Sequence, residues 1–319
     1  MRCSHLNRAL NLHEISMIEK SKLLNPPRDF EQLELLESYL ESGAKKYIEE
    51  VLIPAFAVDN VEFKCVLDNS FAKAERNNDG HYTISIGRSL TNAILNFTYE
   101  IEERVKLKIG WNDLEDITDF IFSYISWFIL NHELAHISWG HLDYIYDRGM
   151  NGYTEINDRK VPIRHLHNNE SKSKEYWNAL ESEADANSIS TTLVSLKYNI
   201  RSKQWGSWKL DKVLEVHGII NSIMFYFLNT LMKGTGDFKH PEPYIRQYLS
   251  LPSIDSLAKQ FGHNQKFYTD AMIKANFLTV EEILQLKIPF DSILKSVYWM
   301  RKLDGLTKEA GISQYHRNK

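Results

Sequence analysis

The chain has 319 residues, 43% hydrophobic and 25% charged, a balance that allows a sizeable buried core and excludes a disordered polyelectrolyte. Its formal net charge of -4 at pH 7 gives no electrostatic reason to expect nucleic acid as a partner. Two cysteines, Cys3 and Cys65, are too few for a disulfide framework or a Cys-based zinc site and suit a reducing compartment.

In chain order, the first residues show no apolar core followed by a small-residue cleavage site, so no secretory signal is expected. Residues 1–53 read as helical, with Leu33, Leu36, Leu40, Tyr47 and Val51 at roughly helical spacing. The period then changes. Residues 61–67 alternate like a half-buried strand, 71–76 form a second, and 81–87 a third with Tyr82, Ile84 and Ile86 on one face. Asn77-Asn78-Asp79-Gly80 is a hairpin turn signal. These three strands predict a small antiparallel sheet.

After Ser89 the chain reads as almost wholly helical. Ser89 can cap a short helix through Phe97. Asn112 with Glu115 can open a long helix that runs to Gly149. Between 117 and 130 its apolar residues cover nearly all sides, which predicts a central buried helix. Residues 150–172 read as a polar surface loop. Helices follow at 174–196 and 210–232, with short ones near 243–250, 254–262, 266–275 and 279–287. The greasy stretches 117–130 and 219–232 are interrupted by Asp, Asn, Ser and Thr. Stable membrane insertion is therefore not expected, and the expected location is the cytoplasm.

The central helix carries His132-Glu133-Leu134-Ala135-His136, an H-E-x-x-H pattern. On a helix, i and i+4 differ by roughly 40° around the axis, so both imidazoles project from one face and can reach one ion. Glu133 lies on the neighbouring flank, where it can act as general base on a metal-activated water without being a ligand. Zinc suits these ligand types and needs a third protein ligand. His141 fits poorly: on a continuous helix it points away from the His132/His136 face, and the spacing departs from the metzincin pattern. His165 and His167 lie in a loop. Glu181-Ser182-Glu183-Ala184-Asp185 on the next long helix is the third candidate. Glu181 and Asp185 share a face. Glu181 could bind the ion while Asp185 accepts a hydrogen bond from a ligand histidine. Glu183 is the competing ligand if the register differs. Small residues around the stretch would allow close helix packing.

With these two motifs the chain resembles the gluzincin peptidases, in particular the HtpX-type and CAAX-prenyl-protease-type metallopeptidases. Their second motif, E-x-E/Q-A-D, matches residues 181–185. The resemblance spans roughly residues 60–250 and implies Glu181 as ligand and Asp185 as its neighbour's partner. It also covers a later His-Pro followed by Arg, matching His240-Pro241 and Arg246, and implies that His240 donates to the oxyanion. Those relatives are typically membrane-embedded, whereas this chain offers no convincing span. In size and motif placement it is also similar in outline to the phage-exclusion protease Lit, whose group cuts a host factor on a phage signal.

The expected fold is α+β and mostly α: a zincin-like metallopeptidase domain over 56–250, with a small antiparallel sheet before the H-E-x-x-H helix. Helical extensions occupy 1–55 and 251–319. The expected activity is zinc-dependent cleavage of a protein or peptide substrate, with Glu133 and His240 catalytic and Tyr82, Ile84 and Ile86 lining a cleft edge that pairs with the peptide. Two alternatives are a triggered, Lit-like defence or toxin protease, for which the terminal extensions leave room for a regulatory protein partner, and a metal-stabilised regulatory module without turnover.

Overall fold

The computed structural model describes residues 18–56, 58–67, 71–112, 114–149, 152–156, 166–199, 208, 210–232, 245–246, 282–284, 298–299, 302–303 and 305–316. Its helices are α1 (Lys20–Leu23), α2 (Phe30–Tyr47), α3 (Ile53–Phe56), α4 (Arg88–Ile109), α5 (Leu114–Ser138), α6 (His141–Tyr146), α7 (Glu170–Asn199) and α8 (Leu210–Met232). The strands are β1 (Val61–Val66), β2 (Ala72–Arg76), β3 (Tyr82–Gly87) and β4 (Gly152–Ile156). The described chain is thus mostly helical with one small sheet. Among the described residues, no helix is long and apolar enough to cross a membrane.

Local chemistry sets several boundaries. Asp29 caps α2, its Oδ1 accepting from the Gln32 amide at 2.9 Å. One π-turn, Ile48–Leu52, then leads into α3. Helix α4 runs far past Phe97, to Gly110 in the left-handed region at φ 70°, whose amide returns to the Lys106 carbonyl. The β2–β3 turn forms at residues 77–80, where Asn77 Oδ1 accepts from the amides of Asp79 and His81 and Gly80 supplies a φ of 80°.

The sheet differs from expectation in two respects. It has four strands in the order β1-β3-β2-β4, and β1 runs parallel to β3. Strand β4 lies inside the stretch read as a surface loop and pairs antiparallel with β2. Strand β3 is consequently interior, with both edges taken by β1 and β2. It has no free edge to offer a peptide, and Tyr82, Ile84 and Ile86 are buried. The Tyr82 hydroxyl donates to Asp143 Oδ1 at 2.6 Å. The role of these three residues in binding substrate is therefore corrected to one in the core.

Helix α5 is the centre of the molecule and packs against α2, α4, α6, α7 and α8 and against β2 and β3. Phe120, Phe122, Tyr124, Ile125 and Phe128 on it are buried. Full burial of one such side chain stabilises by about 1.5–3 kcal/mol, so the helix can carry a polar segment at its C-terminal end. Leu33 and Leu40 from the expected N-terminal extension and Leu306 and Ile312 from the C-terminal one join the same core.

The long helix does not continue to Gly149. It ends at Ser138, and Gly140 at φ 72° turns the chain into α6. The left-handed conformation costs a side-chain-bearing residue roughly 1–2 kcal/mol and glycine almost nothing. That break redirects His141.

Candidate metal centre

Helices α5 and α7 pack directly on each other. Ala179, Ala184 and Ser188 are fully buried on α7, and their small side chains permit the close approach. Asn131 on α5 donates to Thr192 Oγ1 on α7 at 3.1 Å. Between the two helices, His132 Nε2 lies 3.0 Å from His136 Nε2 and 3.2 Å from Glu181 Oε2. His136 Nε2 lies 3.9 Å from the same carboxylate oxygen. A tetrahedral ion with bonds of 2.0–2.1 Å holds neighbouring donor atoms roughly 3.3 Å apart. The three donor atoms fit that spacing.

His132, Glu133, His136 and Glu181 all have 0% exposure. Burying carboxylates is costly unless positive charge meets them. Arg246 answers for Asp185: its Nε donates to Oδ2 and its Nη2 to Oδ1, both at 2.7 Å. Glu181 is a further carboxylate buried against the His132 imidazole, Glu133 is buried as the next residue of α5, and a divalent cation at the common point would offset their charge. Donor set, spacing and charge therefore all fit a zinc-class ion.

Asp185 Oδ1 lies 3.0 Å from His132 Nδ1, which sets the His132 proton on Nδ1 and leaves Nε2 free to ligate. Burial pushes the Asp185 pKa up, but the charge and hydrogen bonds of Arg246 and the bond from His132 outweigh it and hold it below the usual value. Arg246 also stacks on Phe225, 4.9 Å from the ring centroid.

Glu183, the competing ligand, faces elsewhere. Its Oε2 meets His141 Nε2 at 3.1 Å and His316 Nε2 at 3.3 Å. Burial pushes its pKa up, yet the two histidines outweigh that and hold it at about 2. His141, set aside on the assumption of a continuous helix, stands with Nδ1 3.0 Å from His136 Nδ1. Gly140 after Trp139 was the available signal for that turn. His167 is not part of the cluster, since its Nδ1 accepts from the Asn169 amide. His240 and His165 lie outside the described residues, as does most of the chain expected to form short helices after residue 240.

A cavity of about 240 Å³ is lined by Leu134, Ala135 and Ser138 of α5 with Asn187 and Thr191 of α7. None of the converging ligand atoms reaches it. Cys65 is the one free thiol among the described residues; burial, then the charges of Glu37 and Glu41, push it up to about 12 and leave it a poor nucleophile.

Compared with models of known protein families, with curated proteins and with solved structures, the chain shows no significant match.

Proposed function

We propose that this protein is a zinc-dependent peptidase of the gluzincin type, with His132, His136 and Glu181 as ligands and Glu133 as general base. One observation carries the reading: two imidazoles four residues apart on α5 and one carboxylate on α7 converge on a single point, and the residue that follows the first histidine is a buried glutamate. A sheet before the H-E-x-x-H helix and a third ligand on the next long helix are consistent with a zincin-like domain. Zinc bound there supplies Lewis acidity, polarising a carbonyl and acidifying a water.

The chain's own residues do the rest. Glu133 follows His132 by one position, roughly 100° around the helix axis, and accepts a proton from the attacking water before passing it to the leaving nitrogen. Asp185 holds His132 in the tautomer that presents Nε2, and Arg246 keeps Asp185 ionised. His240 is the proposed donor to the oxyanion, on resemblance alone. The substrate is a protein or peptide.

The complete burial of the ligands and Glu133 favours a second reading, a metal-stabilised module without turnover. It equally suits a protease that stays shut until a partner or signal moves a covering segment, as in the Lit-like alternative. Metal analysis and mapping of new protein N-termini in cells separate these readings. One zinc per chain is expected in the wild type and none in Glu181→Ala. Glu133→Gln should keep its zinc and generate no new N-termini. A wild type without stoichiometric metal sinks the site. A metal-loaded wild type that cuts no more than Glu133→Gln, even with the trigger supplied, leaves the module.

A further inference from the structure

The metal site proposed above uses both ring nitrogens of His132 but only one of His136. Nδ1 of His136 lies 3.0 Å from Nδ1 of His141, which is 1% exposed. Nε2 of His141 reaches Glu183 Oε2 at 3.1 Å, and His316 Nε2 meets the same oxygen at 3.3 Å. The four residues come from α5, α6, α7 and the C-terminal segment.

Proton counting gives this chain a direction. A neutral imidazole has one N–H and one nitrogen lone pair. If His136 gives its Nε2 lone pair to the ion, its proton sits on Nδ1 and is donated to His141. His141 can accept at Nδ1 only when its own proton is on Nε2, and that proton faces Glu183. We propose that His141, Glu183 and His316 form a positioning relay that fixes the tautomer and ring orientation of His136 as a metal ligand, with the C-terminal segment supplying the last member. Asp185 and Arg246 do the same for His132, with one imidazole fewer.

The rival is a second ion held by His141, Glu183 and His316, whose donor atoms lie within 4.8 Å of one another. The proton count opposes it. While His136 ligates the first ion, Nε2 of His141 carries a proton and has no lone pair to offer.

The C-terminal segment is firmly seated. The Tyr315 carbonyl oxygen lies 2.1 Å from where a Cβ on Gly140 would stand. The Tyr315 hydroxyl donates to Asp147 Oδ2 at 2.8 Å. The His316 ring stands edge-on to Trp139, with centroids 4.7 Å apart.

The inference rests on the metal site and not on peptide cleavage. Its test is zinc affinity, measured by competition with a chromophoric chelator, together with the visible spectrum of the Co²⁺-substituted protein. His141→Phe and Glu183→Ala should weaken zinc about 10–100-fold and alter the cobalt spectrum. His316→Ala should weaken it a few-fold. His141→Asn, whose carboxamide oxygen can accept the His136 proton, should recover most of the loss. Unfolding midpoints of the metal-free proteins separate a site effect from a folding defect, and His316, 17% exposed, supplies a variant that spares the core. Unchanged affinity in His141→Phe and His316→Ala overturns the relay while leaving the metal site standing. A wild type with two zinc ions, the second lost in His316→Ala, overturns it in favour of the rival. A wild type that binds no zinc removes relay and site together.

Discussion

Arg246 shows what a single residue contributes when its partner is fully enclosed. Asp185 is 1% exposed, and the guanidinium meets it through two parallel hydrogen bonds, the geometry in which arginine pairs most strongly with a carboxylate. Removing one member of a buried pair leaves the other charge without compensation, at a typical cost of about 3–5 kcal/mol. Arg246→Met keeps the stem that packs on Phe225 and deletes the charge. Its unfolding free energy, from urea titration, should fall by that amount, and Asp185→Asn in the same chain should restore part of it. If the single substitution costs under about 1 kcal/mol, the pair is dispensable. In sequence, the His132/His136 pair and the shared face of Glu181 and Asp185 were legible because i, i+4 spacing is a local rule that needs no knowledge of the fold, whereas the choice between Glu181 and Glu183 as the histidines' partner was left open. Arg246 was visible only as a match to a family pattern, because its work depends on a contact with Asp185, distant in sequence.

Helix termination illustrates the next scale. Gly110 and Gly140 both end helices at positive φ, 70° and 72°, but their surroundings differ. A Cβ on Gly110 meets nothing within 4 Å, whereas one on Gly140 would collide with the Tyr315 backbone. Gly110→Ala should therefore cost only the backbone strain, roughly 1–2 kcal/mol. Gly140→Ala adds a collision that no side-chain rotation can relieve, so the C-terminal segment must lift. Amide exchange over residues 311–316 should accelerate in Gly140→Ala and stay at the wild-type rate in Gly110→Ala. Equal protection in both would mean that the seat at Gly140 is not what holds the segment. The same glycine explains the error in reading α5: a helix drawn through to Gly149 faces His141 away from His136, and a break at Gly140 brings the two rings together.

Across the whole molecule, the elements that could be read were those whose cause is local: the hairpin turn at residues 77–80 and the apolar circumference of α5. The pairing of β4 with β2, the parallel register of β1, and the docking of Tyr315 on α6 and of His316 on Trp139 and Glu183 depend on partners far away in the chain, so no window of sequence contains them. The proposed metal site would be a long-range tie of the same kind, joining α5 to α7. An ion that binds only the folded chain stabilises it by about 4 kcal/mol when free zinc exceeds the Kd 1,000-fold. At roughly 2–4 °C per kcal/mol for a domain of 150–250 residues, a strong chelator should lower the thermal midpoint of the zinc-loaded protein by ~10 °C, and added zinc should restore it. Glu181→Ala, lacking a ligand, should be indifferent to the chelator. Glu133→Gln should show the full shift, because Glu133 is not among the proposed ligands. A wild-type midpoint that ignores the chelator would mean that α5 and α7 are joined without an ion, by their packing and by side-chain bonds such as that of Asn131 to Thr192.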